Sequence, residues 1–557
     1  MIKAFAVGTA RALALAATVT WAFACAPPAT EPADTIFVGQ FLTLAPEHPT
    51  ASALAVRGGR ILAVGTDAEL AGHVGPATTR VAVPGVALPG LADAHVHALG
   101  LGAQLEMLDL RGLAKAEILS RVEALARESA PGEWIQGRGW DQGFWTPAEF
   151  PTAAELDRAA PNHPVILTRI DGHSVWVNSS ALRKAGVTRA TRDPEGGRFL
   201  RLPDGTPSGT VVDNAVDLVT AAVPTPTPAQ NERRLKAALQ QYVRWGLTSV
   251  HDAGVGLETI GIYKALLARG ELPLRVYVMA SGTGATAEHY LTAGPERLGD
   301  GRLVVRSFKV LLDGALGSRG AQLLAPYSDA PDQSGLMLMQ DEDLRQLVSR
   351  AAARGLQVNA HAIGDRAIRR ALDAFESLGP SLADRRFRIE HVSIVHDDDL
   401  PRLATLGVIA SMQPNFVGEY SRWAVDRVGA ARIRTVYRTA DLLESGAIVA
   451  AGTDYPAADS GDPIVTLFSM VTRKGADGAP EGGWYPDQMV SVSDTLRAMT
   501  WAPAYAAFEE QERGALTPGR LADFTAVSGD PTTTAPDHLR SLRTRMTVVG
   551  GRVVFRR

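Results

Sequence analysis

The sequence has a single cysteine, Cys25, in 557 residues. A lone thiol excludes any disulfide within the chain. A basic surplus is missing too: 56 Lys and Arg stand against 60 Asp and Glu, for a net charge of −4. That balance argues against a nucleic-acid partner and against attraction to an anionic membrane surface. Past the N-terminus there is no run of ~20 uncharged apolar residues, so no transmembrane helix is expected there. Internal repeats and low-complexity blocks are also absent. What the chain does have is 46% apolar residues, enough over this length for one large domain with satellites.

Acidic residues are missing before Glu31. Lys3 and Arg11 accompany an Ala/Leu/Val-rich run that ends at Ala24, and residues 1–25 therefore read as an export signal. Ala22-Phe-Ala24 fits cleavage after a small-x-small pattern. With Cys25 the same residues are similar to a bacterial lipoprotein box, departing from it at Ala22, where leucine is usual, and at Phe23, where a small residue is usual. The Pro-rich stretch 26–33 reads as a polar tether. We expect an exported chain on the periplasmic side. Membrane attachment through a lipidated Cys25 is preferred over a soluble periplasmic form.

Residues 34–87 and 515–557 both read as short strands, with Gly58-Gly59 and Gly550-Gly551 as hairpin turns. Strand-rich segments at both ends predict one small β-sandwich domain built from the two termini, with residues 88–514 inserted between them. In that span short apolar runs alternate with Ala/Leu/Arg helical spacing, as in Asp341–Arg354. The runs begin at 88–97, 247–251, 274–278, 304–310, 356–361, 387–391, 408–412 and 447–451. They predict a (β/α)₈ TIM-type barrel, an α/β fold. A doubly wound sheet is the alternative, but no Gly-rich phosphate loop follows the first strand. Residues 98–246 are too long for one crossover and must contain an insertion, aromatic-rich at Trp134, Trp140, Phe144 and Trp145.

Barrel sites lie at the C-terminal ends of the strands. The first strand ends in His95 and His97, whose i, i+2 spacing puts both imidazoles on one face. The fifth ends in His361, the sixth in His391, and Asp454 follows the eighth. Lys309 sits inside the apolar fourth strand, where a buried ammonium is costly unless paired or neutralised. Neutral imidazoles and a carboxylate suit Zn²⁺ or a similar ion. A desolvated lysine can be neutral and can take up CO₂ as a carbamate, whose two oxygens can bridge two metals. Asp454 could then carry a proton from a metal-activated hydroxide to the leaving nitrogen.

Together these motifs resemble the amidohydrolase superfamily, in particular the YtcJ-like branch that includes N-substituted formamide deformylases. The matching pieces are Leu88-Pro-Gly-Leu-Ala-Asp-Ala-His-Val-His97, Lys309 with Asp313-Gly314, Asn359-Ala-His361-Ala-Ile-Gly-Asp365, Glu390-His391, Gly452-Thr-Asp454 and Gly519-Arg-Leu-Ala-Asp-Phe524. The resemblance runs from about residue 34 to the end of the sequence. It implies two divalent ions, with His95, His97 and Asp454 on one, His361 and His391 on the other, and a CO₂-derived carbamate on Lys309 between them. Zinc leads, with Mn²⁺, Fe²⁺ and Co²⁺ open.

Other residues have two readings. Trp140 and Asp141 are pocket wall or plain core. His173 is a substrate contact or an ordinary histidine. Arg319 and Asp365 are substrate-side groups or solvated loop charges. His251 reads as an ordinary buried histidine. The leading expectation is a hydrolase of a C–N bond in a small amide, formamide or N-acyl substrate. A deaminase of a cyclic amidine or nucleobase-like ring is second, and a metal-free scaffold third. We expect a small-molecule substrate, and a homodimer is allowed.

Overall fold

The computed structural model describes residues 31–169, 173–379 and 382–557. The expected export signal and Cys25 lie outside the described residues. Among these residues no helix is long and apolar enough to cross a membrane.

The largest sheet holds eight parallel strands in sequence order: β1 (Leu91–Val96), β2 (Leu247–Val255), β3 (Arg275–Ser281), β4 (Leu303–Leu311), β5 (Gln357–Ala362), β6 (Arg388–His391), β7 (Ile409–Met412) and β8 (Val449–Ala451). A short ninth strand, Glu296–Leu298, pairs antiparallel with β4. Most barrel positions are buried on both faces, which is why these strands read as near-continuous apolar runs rather than alternating ones.

The barrel closes between its first and last strands. Val96 bridges Tyr455 in parallel register, the Asp454 amide donates to the His95 carbonyl at 2.7 Å, and the His97 amide donates to the Tyr455 carbonyl at 3.0 Å. The buried Asp93 carboxylate completes the seam by accepting from the His95 amide at 3.0 Å, the Thr453 amide at 2.9 Å and the Thr453 hydroxyl at 2.6 Å. Gly452 fits here because a Cβ would come within 2.5 Å of the His95 nitrogen. Closure therefore brings Asp454 against the two histidines of β1.

A seven-stranded sheet joins the chain ends, in the order Arg552–Arg556, Thr544–Val549, Phe524–Val527, Thr79–Pro89, Thr35–Leu42, Thr50–Arg57 and Arg60–Gly65. Its central strand, Thr79–Pro89, runs through Pro84-Gly85, a pair that marks a break in most local sequence. Gly85 instead takes φ +72°, where a Cβ would meet the Val527 carbonyl at 2.0 Å, and the strand continues past it. One apolar core spans both halves, with Phe37 and Phe524 edge to face at 4.9 Å.

Residues 108–213 form a third sheet of six strands, within the stretch expected to hold an insertion. Its core is built on Trp140, Trp145 and Trp176, with ring centroids 5.8–6.3 Å apart.

Candidate metal centre

Six side chains from five strand ends meet at one end of the barrel. On β1 the residue order decides where each imidazole points. His95 gives its Nδ1 to the Glu390 carboxylate at 2.6 Å, and His97 gives its Nδ1 to the Ala253 carbonyl at 3.1 Å. Both acceptors can only accept, so Nδ1 carries the proton and Nε2 keeps a lone pair. The His97 Nε2 faces Asp454 Oδ1 at 3.0 Å and the His95 Nε2 faces the same oxygen at 3.4 Å. Two lone pairs aimed at a carboxylate oxygen repel one another unless a cation lies among them. His95, His97 and Asp454 present ligand atoms within 4.8 Å of one another, an arrangement suited to a divalent ion.

Lys309 comes up from β4, with its Nζ 3.2 Å from the His95 Nε2. Burial pulls the lysine below its ordinary range, against the opposing pull of Glu390 and Asp454. His361 ends β5 and His391 ends β6, with ring centroids 4.3 Å apart, and the His391 ring lies 5.2 Å from that of His95. The buried His361 Nε2 makes no hydrogen bond, the Asp313 carboxylate standing 3.6 Å away, so its lone pair is left for a cation. Burial also holds His361 and His391 neutral, well below the ordinary histidine range. Burial first, and Lys309 second, lower His95 to about 4. Uncharged imidazoles are what metal ligation requires, so this donor set fits the metals that the sequence implied.

Two ligands depend on unusual backbone. Glu390 and His391 are consecutive, so regular strand alternation sends them to opposite faces. A φ of 77° at His391, followed by 46° at Val392, breaks the alternation and brings both to the site. Asp454 also has a positive φ, 59°. Such conformations cost about 1–3 kcal/mol each and persist where the surroundings hold them.

Behind the ligands stands support that the sequence reading did not assign. Arg388, fully buried, lies 2.8 Å from Glu390 and also donates to the Ala94 carbonyl and the Ser411 hydroxyl. Burial works to raise Glu390, but Arg388, His95 and Lys309 outweigh it and bring the carboxyl to about 2. The resulting Arg388–Glu390–His95 relay fixes the imidazole that faces Lys309 and Asp454. A charged residue in the apolar run Phe387-Arg-Ile-Glu-His391 was a signal of the same kind as Lys309. His251, read as an ordinary buried histidine, is fully buried and contacts Arg388 at 2.9 Å.

The expected substrate contacts find partners outside this cluster. Trp140 is fully buried in the insertion's core and donates to the Leu167 carbonyl, so it is packing and not pocket wall. Asp141 caps a turn through the Gly143 amide and pairs with Arg169 at 2.9 Å. His173 is exposed and lies 3.1 Å from Asp213. Arg319 pairs with Asp329 at 2.9 Å. Asp365 accepts from the Leu324 amide at 2.8 Å, bracing a loop.

Residues 85–555 match the model of the amidohydrolase family. This chain belongs to the amidohydrolase family. Among its relatives, YtcJ of Bacillus subtilis is 31% identical over 532 residues, covering 93% of this chain and 99% of that one. The N-substituted formamide deformylase of Arthrobacter pascens is 27% identical over 540 residues, covering 92% and 97%. The crystal structure of an uncharacterized metal-dependent hydrolase from Pyrococcus horikoshii superposes with a TM-score of 0.74 at 28% identity, covering 90% of this chain and 99% of that one. The family acts on small-molecule substrates, and this member carries a His–His–Asp cluster suited to a divalent ion.

Proposed function

We propose that this amidohydrolase cleaves a C–N bond in a small amide, formamide or N-acyl compound, using two divalent ions. The observation that carries the reading is the convergence of His95, His97, Lys309, His361, His391 and Asp454, with the His95 Nε2 within 3.4 Å of both Lys309 and Asp454. His95, His97 and Asp454 would hold one ion, His361 and His391 the other, and a carbamate on Lys309 would join them. Zinc suits such a set best. Bound there, the ions supply Lewis acidity and a water acidic enough to ionise near neutral pH.

The chain's own residues do the rest. Arg388 and Glu390 hold His95 in one tautomer. The Asp454 carboxylate is 11% exposed and borders His97, which is 40% exposed. It stands where the cluster opens to solvent, placed to take a proton from the attacking water and pass it to the leaving nitrogen. The deformylase relative supports the choice of bond. We also propose an exported location, on the strength of the signal read in residues 1–25.

The test is a screen of amides, formamides and N-acyl amino acids on metal-replete protein, reading amine release. Turnover in at least one of these classes is expected. A chain that holds its metal yet turns over none of them, while deaminating a cyclic amidine, contradicts the proposal.

A further inference from the structure

A second cleft shares no lining residue with the metal centre. The last turn of the helix Pro228–Trp245 faces the two C-terminal strands across a cleft of about 630 Å³. Four arginines line it: Arg244 from the helix, Arg543 beside the strand Thr544–Val549, and Arg556 and Arg557 at the end of the sequence. Among the described residues none of the four is ion-paired within 4.0 Å. Arg543 donates only to the Arg540 and Leu542 carbonyls, and Arg556 only to the Ala82 carbonyl. Most arginines near carboxylates in this chain are paired, and the chain as a whole carries −4. Four exposed guanidiniums against one carboxylate side chain give this cleft a local excess of positive charge that draws anions.

One carboxylate side chain, Asp462, also lines the cleft and interacts electrostatically with Arg543. It accepts from the Ile464 amide at 2.9 Å as the cap of the helix Pro463–Thr472.

The cleft is rigidly built. The Thr544 hydroxyl donates to the Trp245 carbonyl at 2.8 Å and the Thr547 hydroxyl to the Val243 carbonyl at 2.7 Å, tying the helix end to the sheet. Trp245 forms a fixed aromatic wall, edge-on to Tyr455 at 5.4 Å. Paired guanidinium forks match the oxygens of phosphoryl, sulfonyl or carboxylate groups, and a cavity of this volume takes a metabolite-sized molecule.

We propose that this cleft binds a small polyanion, a molecule carrying two or more such groups, independently of the metal centre. The test is calorimetry on the metal-loaded protein at constant ionic strength, with ethane-1,2-disulfonate as a dianion that does not strip metal and methanesulfonate as its monoanionic half. The disulfonate is expected to bind once per chain, at least tenfold tighter than methanesulfonate. Arg244→Ala with Arg543→Ala should weaken it at least tenfold while the substrate KM stays put. A Trp245→Phe variant should lose any fluorescence change that accompanies binding. Equal affinity for the two anions, no saturable binding, or undiminished binding by the double variant overturns the proposal. So does disulfonate that competes with substrate, because it is then at the metal centre.

Discussion

At the scale of single residues the chemistry turns on which atom of each side chain carries a proton. Lys309 is buried and drawn below its ordinary range by that burial, 3.2 Å from a histidine lone pair, which favours the uncharged amine that the proposed carbamate needs. Lys309→Ala is expected to abolish turnover, and short carboxylic acids should restore part of it by standing in for the carbamate. Full activity without the lysine removes the bridge from the proposal. Glu390 acts one step further back. Glu390→Gln keeps the shape but weakens the hold on the His95 Nδ1 proton, and metal affinity should fall about 10–100-fold, read by competition with a chelator. Unchanged affinity would mean that the relay from Arg388 does no positioning.

At the scale of elements, loops brace the geometry that the strand ends set. The buried Asp313 carboxylate, just past β4, accepts from the amides of Gln322 at 2.8 Å, Ile363 at 3.0 Å and Gly364 at 2.8 Å. It thereby pins the loops after β4 and β5 beside His361. Asp313→Ala strands three amides, and a loss on the order of 3 kcal/mol is expected in urea denaturation; Asp313→Asn should lose less. Equal stability for Ala and wild type contradicts the brace. The eight barrel strands were legible because buried parallel strands carry apolar runs whatever their neighbours do. The proposed ligands stand out in the sequence because polar residues at the ends of such runs have little other reason to be there. Arg388 and Asp93 escaped, since their worth lies in partners far away in sequence. Asp141, Arg319 and Asp365, charged loop residues, are engaged by the fold in a cap, an ion pair and a loop brace.

At the scale of the whole molecule, the two ends of the chain and the barrel are locked together by charge. Arg275, at the start of β3, forms a buried two-point pair with Asp523 at 2.6 and 3.1 Å. Burial works to raise Asp523, but Arg275 draws it below the ordinary carboxylate range. A lowered folded-state pKa contributes stability that is present at neutral pH and lost as pH falls through the carboxylate range. Asp523→Ala should cost about 3–5 kcal/mol at pH 7, and the gap from wild type should narrow on acidification. A constant gap would show that the pair's ionisation is not what matters. The same large-scale view explains how the central strand Thr79–Pro89 forms. Proline and glycine mark a break in local sequence, whereas pairing to strands from both termini carries the backbone through it. The central claim, that distant strand ends assemble one two-ion centre, is tested most directly by counting metal per chain after reconstitution. Two divalent ions are expected in wild type, and a single ion in His361→Ala with His391→Ala. A wild-type chain that hydrolyses its substrate with no ion bound would contradict the account.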